Sequence, residues 1–117
     1  MSKITITDLE VFYSVGITDE ERAKPQRLLV TVDMSYDFST AAISDRLEKT
    51  IDYHEVSQDV LKYGATRSWK LLEKLATNLA EHILNKFRPQ AVLVEVKKFA
   101  VPQARHVSVT VAKGRAR

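Results

Sequence analysis

Alternating apolar and polar residues predict four β-strands. The alternation runs over residues 9–15 and 28–36 in the first third of the chain, and over residues 92–96 and 107–111 near the C-terminus. Successive side chains of a strand point to opposite faces, so each of these segments can place one apolar row against a core. We expect the first two strands to pair antiparallel, with Gly16 ending the first of them.

A helix is predicted over residues 53–63, between the two pairs of strands. Asp52 is its expected N-cap, and Glu55, three residues later, is the expected capping-box partner. Gly64 is expected to stop the helix in the left-handed conformation that glycine adopts without strain.

A longer amphipathic helix is predicted over residues 68–87. Ser68 is its expected N-cap, and Pro89 follows its end. At about 100° per residue, its apolar side chains share one broad face. These side chains are Trp69, Leu72, Leu75, Ala76, Leu79, Ala80 and Ile83.

Two shorter helical turns are predicted in the connections. One covers residues 18–22, where Thr18 or Asp19 is the expected cap. The other lies around residues 41–43, inside the polar stretch 37–50.

The order strand, strand, helix, helix, strand, strand is typical of an α+β fold, here a four-stranded antiparallel sheet with two helices on one face. The length of 117 residues suits one domain, residues 1–117. The sheet face away from the helices also carries apolar side chains, such as Phe12, Leu29 and Leu93. This second apolar face predicts burial in an oligomer.

Composition narrows the functional classes. There is no apolar run long enough for a membrane span and no apolar signal core at the N-terminus, so neither membrane insertion nor secretion is expected. The absence of cysteine excludes disulfides and thiolate metal sites and fits a cytoplasmic protein. The three histidines lack zinc-ligand spacing, so no metal is expected.

The net charge of +3 does not indicate nucleic-acid binding. The basic excess gathers towards the C-terminal end: Lys97, Lys98, Arg105, Lys113, Arg115 and Arg117. The sequence has none of the aromatic, glycine-loop or Cys/His motifs of RNA-binding modules. We therefore expect no nucleic-acid partner.

Glu73 projects at the margin of the apolar face of the longer helix, not on the solvent side where Lys70 and Lys74 lie. A carboxylate in half-apolar surroundings costs free energy unless groups donate hydrogen bonds to it. Such a residue is commonly solvated or half of an i,i+4 pair, although Thr77 offers no charge. The alternative is a ligand that carries paired N–H donors.

Three other side chains are candidates for chemistry: Glu21 in the first short turn, Tyr53 at the start of the first helix, and a lysine at the end of the third strand. Strand parity places Lys98 with the inward valines and Lys97 on the other face, although parity alone leaves the choice between the two lysines open. Taken singly, each candidate also fits an ordinary structural role.

Together these segments resemble the dihydroneopterin aldolase family of folate biosynthesis. The matching stretches are V-G-I-T-D-E-E-R-A-K-P-Q-R-L, T-I-D-Y-H-E-V, L-L-E-K-L-A, and E-V-K-K-F-A-V-P followed by H-V-S-V-T-V. They follow one another along nearly the whole chain, over residues 3–112. The related dihydroneopterin triphosphate epimerases share most of the same pattern.

The resemblance implies the tunnelling fold, in which four ββααββ units form a ring, and two rings commonly stack into an octamer. Active sites lie at subunit boundaries and need no cofactor. The anchoring glutamate of the family falls on Glu73, which would accept hydrogen bonds from the donor edge of a pterin, and main-chain groups near Ile51 and Leu72 would complete the pterin pocket. Its second glutamate falls on Glu21, near the polyol side chain.

The catalytic residues implied by the resemblance are Lys98 and Tyr53. Retro-aldol cleavage of 7,8-dihydroneopterin would give 6-hydroxymethyl-7,8-dihydropterin and glycolaldehyde. Residues 103–106 (QARH) are similar to the epimerase branch, so inversion at the 2′ carbon is the alternative activity. A third hypothesis is a non-enzymatic ligand-binding or RNA-binding α+β module.

Overall fold

A five-stranded sheet forms the centre of the computed structural model, which describes residues 2–115. The elements in chain order are β1 Lys3–Val15, α1 Asp19–Arg22, β2 Gln26–Ser35, α2 Ser39–Ser44, the 3-10 turn Leu47–Lys49, α3 Tyr53–Tyr63, β3 Ser68–Trp69, α4 Leu72–Phe87, β4 Ala91–Lys98 and β5 Val107–Gly114. Arg117, counted above among the basic residues, lies outside the described residues.

The strands lie in the order β3-β1-β2-β4-β5. The four long strands pair antiparallel, as predicted. β3 is a two-residue strand, parallel to the end of β1, that the sequence did not predict. The α+β class is therefore confirmed, with one short strand added at the edge of the sheet.

The core lies between one face of the sheet and the helices α3 and α4. The inward residues of β2 and β4 are buried, in strict alternation with the residues between them. α4 buries the apolar stripe predicted for it, and α3 buries a narrower one. Within residues 2–115, no helix is long and apolar enough to cross a membrane.

β1 begins six residues earlier than predicted, at Lys3. A bulge shifts its register against β2 between Ile6 and Leu9, and Asp8 there has a φ of 53°. A bulge adds one residue to one strand and so reverses the alternation of its side chains. That reversal concealed the first half of the strand in the sequence pattern.

Asp52 caps the start of α3 as predicted, but the end of the helix does not match the prediction, and within residues 2–115 the Glu55 side chain does not make the expected return bond of a capping box. The Asp52 carboxylate accepts hydrogen bonds from the backbone N–H groups of His54 and Glu55. Gly64 has a φ of −87°, so the predicted left-handed stop is wrong. A Cβ at Gly64 would lie 2.2 Å from Cδ1 of Tyr13. Glycine is needed here because the backbone lies directly against the Tyr13 ring.

α4 begins later than predicted, at Leu72, and Ser68 is not its cap. Residues 68 and 69 instead pair with the end of β1, and the backbone N–H of Gly16 donates to the Trp69 carbonyl at 3.0 Å. Trp69 is still buried, but as part of a strand. Glu73 therefore lies in the first turn of α4.

A cluster of three polar side chains joins α3 to α4. Asp59 of α3 lies 2.5 Å from Nε2 of His82 and 2.6 Å from Nζ of Lys86, both on α4. The His82 ring packs on Tyr63, with their centroids 4.6 Å apart. Partial burial acts to raise the pKa of Asp59, but the hydrogen bonds from Lys86 and His82 outweigh it and hold this pKa below its ordinary value.

We expect Asp59→Asn to lower the free energy of unfolding by about 1 kcal/mol at pH 7. The pKa of Asp59 is lower in the folded chain than in the unfolded chain. Its contribution is therefore present above the unfolded-state pKa and is lost as the pH falls through the folded-state pKa. Urea unfolding at pH 7 and at about pH 3 measures the difference between the wild-type and variant chains. A difference that stays constant with pH would contradict this assignment.

Candidate active site

Four candidate residues meet at one edge of the sheet. β1 and β4 end there, and β2, which runs antiparallel to both, begins there. The contact between Gly16 and Trp69 brings the start of α4 to the same edge. These residues are Glu21, Leu72, Glu73 and Lys98, and we call the end of the folded molecule that carries them the lysine end.

Lys98, not Lys97, faces Glu21. The side chain of Lys98 is 15% exposed, and its Nζ lies 3.8 Å from Oε2 of Glu21. Nζ of Lys97 lies on the other face of the sheet, 2.9 Å from Oδ1 of Asp8. The hydrogen bond with Asp8 raises the pKa of Lys97, and the same bond lowers the pKa of Asp8. The bulge thus supplies Lys97 with a carboxylate partner, a pairing that the sequence analysis missed.

Glu21 is held by the turn that carries it. The Thr18 side chain caps α1 and the Glu21 carboxylate bonds back to it, as a complete capping box. The hydrogen bond from the Thr18 backbone is the main cause that lowers the pKa of Glu21, and the Lys98 charge adds to it. The carboxylate is 43% exposed and remains within reach of a ligand. The T-D-E-E stretch was the sequence signal for this arrangement.

Glu73 is exposed in a single chain. The apolar surroundings expected from a helical projection are absent within one protomer, because Trp69 lies on β3 and not one turn before Glu73 on a helix. No ion pair joins Glu73 to another side chain within residues 2–115.

Tyr53 and Ile51 lie at the opposite end of the molecule. The C-terminal residue of α3, Tyr63, packs on Tyr13 and Trp69 near the lysine end, with centroid distances of 6.5 and 5.9 Å. Tyr53 begins this helix, about 15 Å further along its axis. We call Ile51 and Tyr53 the tyrosine end. One protomer therefore brings Glu21, Leu72, Glu73 and Lys98 to one edge and keeps these two residues away from it.

The tyrosine end borders a mainly apolar cleft of about 490 Å³. Ile51 is buried in its wall, whereas Tyr53 is 63% exposed. The residues that line the cleft are Ile4, Phe38, Ala41, Ala42, Leu47, Thr50, Ile51, Asp52, Tyr53 and His54. A flat heterocycle suits such a wall, but none of the residues that line the cleft is a lysine or an arginine.

Known proteins match the chain over nearly its whole length. A family model described as dihydroneopterin aldolase matches residues 4–112. A dihydroneopterin aldolase of Haemophilus influenzae is 30% identical over 115 residues, which cover 97% of this chain and 98% of that protein.

Two solved structures share the fold at similar coverage. One, described as a putative dihydroneopterin aldolase from Vibrio cholerae, superposes with a TM-score of 0.93 at 33% identity and covers 98% of each chain. The other is the Escherichia coli dihydroneopterin aldolase in complex with neopterin, with a TM-score of 0.91 at 27% identity, covering 97% of this chain and 100% of that one.

Proposed function

The chain belongs to the dihydroneopterin aldolase family, and from this premise we propose that its active site is assembled from two copies of the chain. Its activity is that of an aldolase, a lyase of folate biosynthesis that acts on dihydroneopterin. We place this reaction in the cytoplasm, as the composition indicates. The products are 6-hydroxymethyl-7,8-dihydropterin and glycolaldehyde.

One observation carries the proposal: the expected groups are divided between the lysine end and the tyrosine end, and neither end holds all of them. The lysine end has the Lys98 amine beside Glu21, with the unpaired Glu73 carboxylate at the same edge. The tyrosine end has an apolar cleft and a phenol, at the other end of α3. A second copy that docks its tyrosine end on the lysine end of the first would complete one site.

Glu73 is the proposed anchor of the pterin ring. A pterin presents a ring N–H and an amino group side by side, and an ionised carboxylate can accept from both with two parallel hydrogen bonds. Docking of the neighbouring copy would also give Glu73 the apolar surroundings that one chain lacks. Main-chain groups at Leu72, and at Ile51 of the neighbouring copy, would complete the hydrogen bonds around the ring.

Lys98 is the proposed acid for the retro-aldol step. A water removes the proton of the 2′-hydroxyl, the bond between C1′ and C2′ breaks, and C2′ leaves in glycolaldehyde. The released electron pair moves from C1′ into the imine of the dihydropterin ring, and Lys98 protonates the ring nitrogen. The substrate itself is the electron sink, so Lys98 needs no covalent bond to it.

Tyr53 is the proposed proton relay at C1′. The enamine left after cleavage must gain a proton at C1′ and return the proton on its ring nitrogen to Lys98, which restores the imine and gives the hydroxymethyl product. The neighbouring copy would supply this phenol from its tyrosine end. Glu21 would bind the polyol hydroxyls with the part of its carboxylate that remains exposed.

Two free strand edges support association of the copies. Within residues 2–115, the outer edge of β5 pairs with no strand, and β1 pairs on its outer side only at Ser14 and Val15. Exposed edges of this length invite pairing with another chain. Pairing of β5 with β1 of the next copy would build a closed ring, which we propose as a tetramer or as half of an octamer.

Inversion at the 2′ carbon is a possible side reaction of the same site, because re-addition of glycolaldehyde on its other face would produce it. A triphosphate substrate would require free basic groups near the polyol. Arg27, a basic residue near the start of β2, is ion-paired with Glu10 at 2.6 Å and packs on Phe99 at 5.1 Å. Because Arg27 is engaged by these two side chains, it is not free to bind a triphosphate, which favours the unphosphorylated substrate.

Mixing two inactive variants tests the two-copy site. We expect Lys98→Met and Tyr53→Ala, co-expressed or refolded together, to regain activity at up to about one quarter of the sites, because some interfaces then combine an intact lysine end with an intact tyrosine end. Chromatography of the products and of the 2′-epimer measures the recovered activity.

The matched control mixes Lys98→Met with Glu73→Ala and is assayed well below the wild-type KM, where weak substrate binding makes Glu73→Ala nearly inactive as well. Both lesions lie at the lysine end, so every hybrid site keeps one of them and no recovery is expected. Equal recovery in the two mixtures, or recovery in neither, would contradict a site shared between two copies.

A further inference from the structure

The Glu21 carboxylate is held at one oxygen and free at the other. Its Oε1 accepts hydrogen bonds from the backbone N–H and from the hydroxyl of Thr18, both at 3.2 Å. In return, the backbone N–H of Glu21 donates to the Thr18 hydroxyl oxygen at 3.1 Å. Oε2 makes none of these bonds and lies 3.8 Å from Nζ of Lys98. Thr18 thus determines which carboxylate oxygen of Glu21 faces the Lys98 amine.

The backbone beside Thr18 is rigid and tightly packed. Arg22 donates from Nη1 to the carbonyls of Gly16 and Ile17, at 2.7 and 2.8 Å. A Cβ at Gly16 would lie 2.3 Å from Cβ of Glu21 and 3.1 Å from its Oε2. The glycine therefore lets the Glu21 side chain lie directly against the end of β1. These contacts leave the carboxylate little freedom apart from rotation about its last bond.

We propose that Thr18 is a positioning residue for catalysis: its hydroxyl and N–H hold Oε1 of Glu21, so that Oε2 stays directed at the Lys98 amine and keeps that amine oriented. Without the hydroxyl, Oε1 of Glu21 keeps only the hydrogen bond from the Thr18 N–H, so the partly exposed carboxylate can rotate towards solvent more easily. Lys98 then loses its one ion-pair partner within residues 2–115. This inference rests on the roles proposed above for Glu21 and Lys98.

The alternative is that Thr18 acts only as the N-cap of the four-residue helix α1. A cap stabilises the fold whatever residue stands at position 21, whereas a positioning residue acts only through Glu21. The two roles therefore differ in how Thr18 and Glu21 depend on each other, which a double-mutant cycle measures.

Thr18→Val removes the hydroxyl and keeps the shape of the side chain. We expect kcat for 7,8-dihydroneopterin to fall about tenfold, because a hydrogen bond to a charged group is lost. The dissociation constant of 6-hydroxymethylpterin, measured by fluorescence titration, should change less than about twofold, since Glu73 and the cleft bind the ring. Thr18→Ser restores the hydroxyl and should keep kcat within about twofold of the wild-type value.

Glu21→Ala provides the second arm of the cycle. In this background we expect Thr18→Val to lower kcat no further, because its target is gone. A tenfold loss of kcat that persists in the Glu21→Ala background would overturn the proposal and leave Thr18 as a cap. Unchanged kcat in Thr18→Val, with Glu21→Ala impaired, would also overturn it.

The same experiment separates this inference from the proposed function. If Glu21→Ala itself has wild-type kcat and KM, the role proposed for Glu21 is wrong and the inference falls with it. Thermal unfolding of each variant shows whether the chain is folded. If Thr18→Val does not accumulate as a folded protein, Thr18→Ala removes the same hydroxyl with a smaller side chain and takes its place in the cycle.

Discussion

We expect Lys98→Met to lower kcat for 7,8-dihydroneopterin by about 10³-fold, equivalent to about 4 kcal/mol of transition-state stabilisation. Methionine keeps most of the aliphatic stem but cannot protonate the ring nitrogen as C1′ and C2′ separate. Initial rates at saturating substrate, followed by chromatography of 6-hydroxymethyl-7,8-dihydropterin, measure the loss. The affinity for the pterin ring should change little, because Lys98 acts on charge that develops in the transition state.

Lys97→Met is the matched control for this prediction. The two lysines are neighbours on β4, but Lys97 faces the opposite side of the sheet and pairs with Asp8. Its loss should leave kcat within about threefold of the wild-type value, since most effects away from a site are small. If Lys97→Met is the inactive variant and Lys98→Met keeps its rate, the assignment of the catalytic lysine is wrong.

We expect Glu73→Ala to weaken binding of pterin ligands by about 100-fold and to lower kcat at saturation much less. Two parallel hydrogen bonds from the ring N–H and amino groups to an ionised carboxylate are together worth about 3 kcal/mol. These bonds form in the ground state as well as in the transition state, so their loss raises the dissociation constant and KM and not the chemical barrier. Fluorescence titration with 6-hydroxymethylpterin measures the affinity directly.

Glu81→Gln is the control for Glu73→Ala. Glu81 lies on the same helix, about 12 Å further along its axis, and is near Lys113 at 3.9 Å. Its loss should leave the dissociation constant unchanged. A Glu73→Ala variant that binds the pterin as tightly as the wild-type chain would show that the ring is anchored elsewhere.

These two predictions divide the lysine end into a binding group and a catalytic group. Glu73 is exposed in one chain, and Lys98 is largely covered and held beside Glu21. A ligand that reaches Glu73 meets the amine at the same edge of the sheet. In the two-copy site proposed above, the second copy would supply an apolar wall that excludes water and strengthens the charged hydrogen bonds of both residues.

Local patterns predicted those parts of the fold that depend on neighbours in the sequence. The side-chain alternation in β2 and β4, the cap of α3 at Asp52 and the cap of α1 at Thr18 all follow from interactions within a few residues. The face of Lys98 follows from the same period of two. The site residues were predicted from the family resemblance, which depends on the order of several matching stretches and not on any one of them.

Contacts between distant segments decided the remaining features. Gly64 is needed against Tyr13, 51 positions away, and not for a left-handed turn. The start of α4 was displaced by the pairing of Trp69 with the end of β1. These contacts form only when distant segments of the chain pack together, so local sequence propensities do not predict them.

The sequence by itself determined which side chains are available for chemistry and which face of each element they occupy, because periodicity and capping are set within a few residues along the chain. Only the tertiary structure decided that Lys98 lies beside Glu21, that Lys97 is bound to Asp8, and that Tyr53 lies at the far end of its own protomer. Strand order and the direction of α3 fix these separations, and both depend on the packing of the whole sheet.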